Sequence, residues 1–161
     1  AYLYLAVDTF SSYAFGLVSG EGLDPYHARA LVADGVLPFY RERGLKVGAI
    51  LTRPKRAFWG WWAEPYWSYL ALQGVEHRLV QTKGRYPNGF MQRLHQTLRE
   101  ELLRPGFASG KYRLFPELER DLGRWLAHYN QERPHPGYPN FGSSPLEAIN
   151  AYLASRSTVS H

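Results

Sequence analysis

Two short runs rich in aromatic and β-branched side chains open the chain, Tyr2–Val7 and residues 13–19. Asp8-Thr9-Phe10-Ser11-Ser12 lies between them and has the side chains that fold back on their own backbone, so the pattern predicts a β-hairpin. From Asp24-Pro25 onward the spacing changes. Ala28, Leu31, Val32, Leu37 and Tyr40 recur near helical period, which predicts a helix capped by Asp24, weakened by Gly35 and stopped by Gly44. Residues 46–51 read as a short buried-type strand, residues 63–73 as an aromatic-rich helix closed by Gly74, and residues 75–80 as another strand. The resulting order is ββαβαβ.

Beyond a polar loop at residues 81–88, Phe90, Leu94, Leu98 and Leu102 step by four along a helix that Pro105 is expected to end. Gln92, Gln96 and Arg99 occupy its opposite face. Leu118, Leu122, Trp125, Leu126 and Tyr129 mark a further helix, followed by a Pro/Gly-rich loop at residues 131–144. Ser144-Pro145-Leu146-Glu147 is a capping box that opens the last helix. Strands alternating with helices, with more helices gathered toward the C-terminus, predict a three-layer α/β domain with a mixed sheet. The expected boundaries are one domain over residues 1–155 and a tail at 156–161.

Composition adds exclusions. With 161 residues, 45% of them hydrophobic and 16% aromatic, the chain can bury the core of one domain and lacks the composition of a disordered segment. It has no cysteine, which removes disulfides, thiolate nucleophiles and Cys-based metal sites. No apolar run approaches the roughly 18 residues of a membrane span, and no signal-like segment opens the chain, so the expected location is cytoplasmic, with no membrane partner. The six histidines form no i,i+4 pair and no His-Glu-x-x-His, so no zinc site is expected.

The net charge of +5 is unevenly spread. Residues 1–40 carry one Arg and four acids, residues 41–56 carry six basic residues against Glu42, and residues 76–104 carry six basic residues against three acids. Two such stretches, if the fold brings them together, suit a polyanion.

The string from Tyr2 through Asp8 to Tyr13 resembles the second and third strands of the integrase catalytic core of insertion-sequence transposases and retroviral integrases. The same family order and spacing continue in Gly74-Val-Glu-His77 and in Asn88-Gly89-Phe-Met-Gln92-Arg93. They recur in Tyr129-Asn130-Gln-Glu-Arg133-Pro134-His135 and in Ser144-Pro145-Leu-Glu147-Ala148. The resemblance spans residues 2 to about 152 and implies an RNase H-like fold, with metal-dependent cleavage and transfer of DNA phosphodiester bonds by two Asp and one Glu. In that chemistry two Mg²⁺ ions about 3.5–4 Å apart activate the attacking oxygen and stabilise the leaving one, held by anionic oxygen ligands.

The carboxylates that this chemistry needs are missing from the matching positions. The family motif Thr-Asp-Asn-Gly-x-Glu-Phe corresponds to Thr52-Arg53-Pro54-Lys55-Arg56-Ala57-Phe58, so Arg53 stands where the second Asp would be, and Gln92 stands where the Glu would be. The first Asp would belong to a strand upstream of Tyr2. Asp8 matches a turn aspartate of the next strand and is expected to bond its own turn. The resemblance thus implies that residues upstream of Ala1 exist in the full protein or that the first strand is re-registered. A unit charge at 4 Å from its opposite gains about 4 kcal/mol at an effective dielectric of 20, and an arginine turns that gain into repulsion of a cation. The expectation is a catalytically inactive core with no catalytic residue, no metal and no cofactor, although the family would use Mg²⁺.

The function expected from these features is DNA binding through a basic former active-site face, by Arg53, Lys55, Arg56, Lys83, Arg85, Arg93 and Arg99. The alternative is a structural or regulatory subunit, either a homo-oligomer or the partner of an active transposase. A third reading, an active strand-transfer enzyme, would need substitute carboxylates such as Asp8 with Glu64, together with an upstream Asp. Trp59, Trp61, Trp62, Tyr66, Trp67 and Tyr69 are expected to pack in the core. Arg133-Pro134-His135 is expected to fix the crossing of the C-terminal helix.

Overall fold

Residues 1–80 and 89–159 are described by the computed structural model. Tyr2–Val7 (β1) and Ala14–Ser19 (β2) pair as neighbours, and their six-residue connection requires an antiparallel hairpin. Ala49–Thr52 (β3) and Glu76–Leu79 (β4) form a parallel pair with Ala49 opposite Glu76 and Thr52 opposite Leu79. Among the described residues seven α-helical segments accompany these strands: Pro25–Ala30 (α1), Leu37–Arg41 (α2), Glu64–Leu72 (α3), Phe90–Leu98 (α4), Arg104–Ala108 (α5), Phe115–Gln131 (α6) and Pro145–Val159 (α7). The molecule is α/β, as the element order predicts, and among the described residues its strands pair as two two-stranded sheets, β1 with β2 and β3 with β4.

The chain divides into two compact units. The first contains residues 1–6 and the chain from residue 15 through β4; the second contains residues 7–14 and the chain from α4 through α7. In the first unit α1 packs on α3, and Tyr4, Val32, Leu37, Ala57, Tyr66 and Leu70 lie in one buried cluster. Tyr66 and Leu70 are four residues apart on α3, the spacing that places both on one face. In the second unit Phe90, Leu94 and Leu98 are buried along α4, and Leu118, Leu122, Trp125 and Tyr129 along α6.

Helix starts follow the sequence signals. The Asp24 side chain accepts from the His27 N–H at 2.9 Å to cap α1. At α7 the Ser144 N–H donates to Glu147 Oε2 at 2.8 Å and the Glu147 N–H to Ser144 Oγ at 3.3 Å, completing the capping box.

Pro105 does not end its helix. A π-helical segment, Arg99–Leu103, carries α4 into α5, and the same arrangement at Leu31–Val36 carries α1 into α2 ahead of Pro38. In both, the last N–H before the proline reaches back five residues: Leu37 donates to the Val32 carbonyl and Arg104 to the Arg99 carbonyl. A proline lacks an N–H and its ring strikes the carbonyl four residues earlier; widening the preceding turn makes room for that ring and lets the helix continue.

Among the described residues no helix is long and apolar enough to cross a membrane.

Candidate nucleic-acid interface

The parallel pair β3 and β4 delivers the chain to Thr52 at their shared carboxyl end, the side on which open α/β sheets present ligands. Thr52 is buried, with Oγ1 2.6 Å from His77 Nε2 across the pair. Burial holds the His77 pKa below its ordinary value, and the Tyr66 ring meets the imidazole edge-on at 5.4 Å. Burial also raises the Tyr66 pKa, which keeps its hydroxyl protonated.

Arg53 follows, half-buried. A tight turn then closes with Lys55 N–H donating to Arg53 O at 2.7 Å and with Phe58 and Trp59 N–H both donating to Lys55 O at 2.9 Å. That turn drives Ala57 fully inside and packs Phe58 against Tyr66, while Pro54, Lys55 and Arg56 face solvent. Among the described residues neither Lys55 nor Arg56 makes an ion pair.

The other basic residues of 41–56 are engaged differently. Arg43 lies 3.8 Å over the Phe39 ring and donates to the Phe39 carbonyl, and Arg41 and Lys46 rim a cleft of about 150 Å³ with Leu37, Leu45, Val47, Gln73 and Val75.

In the second unit Gln92 and Arg93 sit exposed in the first turn of α4, the Arg93 guanidinium 4.9 Å from the Phe90 ring centre, and Arg99 is exposed in the π segment. Glu100 accepts from Gln96 Nε2 at 3.2 Å. Lys83 and Arg85 lie outside the described residues.

An arginine carries no lone pair for a cation and a glutamine offers one neutral oxygen, so Arg53 and Gln92 do not supply the anionic oxygens that Mg²⁺ takes. Asp8 is engaged in its own turn, accepting from Phe10 N–H at 3.0 Å and from Ser11 Oγ–H at 2.6 Å. Glu21, Asp24 and His27 are close enough to surround an ion, but Asp24 already caps α1 and bonds the His27 ring.

The tryptophan run does not pack as a core. Tyr66 is buried, whereas Trp59, Trp61, Trp62 and Trp67 are exposed, Trp61 to 82%. The physical reason is geometric: Phe58, Trp59, Trp61 and Trp62 crowd five consecutive positions, more aromatic volume than one inward face of a turn or helix can take. That crowding was the signal available in the sequence.

Arg133 ties the end of α6 to the π segment through Glu101, its Nε donating at 3.0 Å. His135 anchors the following loop, its N–H donating to Ser143 O and its carbonyl accepting from Gly142 N–H.

This geometry defines a class first: an RNase H-like α/β domain whose β3 carboxyl end is basic. Residues 73–140 match the family described as Integrase core domain. No curated protein matches the chain by sequence. Among solved structures the chain resembles one from a simian T-cell lymphotropic virus intasome in complex with PP2A regulatory subunit B56 gamma. The TM-score is 0.66 and the identity 14%, over 91% of this chain and 47% of that one, so the chain spans about half of it. It also resembles the catalytic core domain of BIV integrase, with TM-score 0.62 and 19% identity over 99% of this chain and 90% of that one. The chain has the RNase H-like fold of these integrase structures, and residues 73–140 resemble the integrase core domain.

Proposed function

We propose that this domain is catalytically inactive and binds DNA through phosphates, without metal. The observation that carries the reading is the exposure of Lys55 and Arg56, free of ion pairs among the described residues, directly after the β3 carboxyl end where the resemblance would put a metal-binding Asp. Arg53 adds charge to the same turn, and Lys83, Arg85, Arg93 and Arg99 are the further basic residues assigned to the interaction. Ammonium and guanidinium groups bond phosphate oxygens as charged donors and release condensed counterions, which needs neither a carboxylate nor a bound cation.

Such contacts position the protein and read no bases, so affinity is expected to be sequence-tolerant. With about five phosphates contacted, log affinity falls with log salt at a slope near −4 to −5, about 0.9 per contact on duplex DNA. Titration of labelled duplex at several salt concentrations tests this. Lys55→Glu with Arg56→Glu should weaken binding to every sequence and flatten the slope by about two. An unchanged slope in that variant, or no binding at low salt, would sink the reading and move the function to a protein partner.

A further inference from the structure

Between Lys55 and Trp67 the exposed cations Lys55 and Arg56 are followed by exposed indoles at Trp59, Trp61, Trp62 and Trp67, and three of these indoles are held in place. Trp67 Nε1 donates to the Gly60 carbonyl at 3.1 Å, and Trp61 and Trp62 meet edge to face at 5.6 Å. Gly60 has φ +95, and a Cβ there would sit 2.8 Å from the Trp62 ring, so the glycine lets that ring lie flat against the backbone. Ala57 and Ala63, both fully buried, anchor the chain on either side of Trp59, Trp61 and Trp62.

We propose that these tryptophans are a stacking platform for unpaired bases, which makes single-stranded nucleic acid the preferred ligand of this face. The inference rests on the reading above, in which Lys55 and Arg56 hold phosphates. A base has a π face whatever its identity, so stacking on an indole is sequence-tolerant, and cations beside the rings track the backbone that carries the bases. Duplex DNA keeps its bases stacked on each other and offers those rings nothing to pair with. A second copy of the chain fits less well: a two-fold contact sets a patch against itself, which would bring Arg53, Lys55 and Arg56 toward like charges, with Glu64 the one acid among residues 53–67.

The test compares an oligo(dT) strand of about 20 nucleotides with the matching duplex at one salt concentration, read by tryptophan emission and by anisotropy. The single strand should bind more tightly and quench indole emission. Trp61→Ala should lose about tenfold for the strand and nothing for the duplex, and Trp61→Phe should retain most of the affinity. If Trp61→Ala weakens strand and duplex alike, or neither, the stacking platform is wrong while phosphate binding stands. If wild-type protein binds neither DNA, the phosphate reading fails and takes this one with it. If sedimentation shows a wild-type dimer that Trp61→Ala dissociates, the patch is a contact between copies and the proposal is overturned.

Discussion

Asn130 does for Ala14 what a neighbouring strand would do: its Oδ1 accepts from the Ala14 N–H and its Nδ2 donates to the Ala14 carbonyl, both at 2.8 Å and both buried. Asn140 repeats the device on the hairpin tip, donating to the Ser11 carbonyl at 2.7 Å. Asn130→Ala would strand two buried backbone groups, each worth roughly 1–3 kcal/mol, so a loss of about 3 kcal/mol is expected in chemical denaturation. Two histidines set a pH dependence. Burial lowers the pKa of His77, and burial followed by the nearby Arg133 charge lowers that of His135. With folded values below unfolded ones, the unfolded chain binds more protons, so their contribution is full above about pH 6.5 and is lost as pH falls from there toward the folded values. NMR titration should find both imidazole midpoints below the ordinary histidine value; a midpoint above it would contradict the burial.

The π segments turn a sequence liability into a position. Arg99–Leu103 presents Glu101, whose carboxylate accepts from buried Trp125 Nε1 at 3.1 Å and from Arg133 Nε at 3.0 Å. Glu101→Leu removes the acceptor of a buried indole and should cost about 1–3 kcal/mol in urea unfolding, whereas Gln, which keeps an oxygen for Trp125, should cost less. Equal losses for the two variants would show that the indole bond contributes little. Pro105 was legible as a helix problem and misleading as a helix end. Proline chemistry states what must be avoided, a clash and a missing donor, and the widened turn is a solution that depends on what the flanking helices bury. The hairpin, the strands β3 and β4, α3, α6 and the Ser144 cap were all legible, because period and capping chemistry act over a few residues, whereas the parallel pairing of β3 with β4 was not.

At the scale of the molecule, purified protein should neither nick DNA nor join strands with Mg²⁺ or Mn²⁺, since Arg53 and Gln92 cannot ligate a hard cation as carboxylates do. A gel assay of supercoiled plasmid checks it. Arg53→Asp with Gln92→Glu should still leave turnover low, because Lys55 and Arg56 remain; full turnover in the double variant would show that the catalytic centre has been misplaced.

The sequence by itself determined the α/β order, the helix caps and the resemblance to integrase cores, since each of these is written in residue type and short spacing. Only the tertiary structure decided which aromatic rings of residues 58–69 turn inward. Tyr66 found the Phe58 and His77 rings, while Trp59, Trp61, Trp62 and Trp67 were left to solvent because the inward face was already filled. It also decided that Asn130 would close the backbone of Ala14, 116 residues away in the chain. Such a partnership leaves no periodic mark in either segment, because hydrogen bonding between remote residues depends on where the folded backbone brings them and not on any local preference of asparagine or alanine.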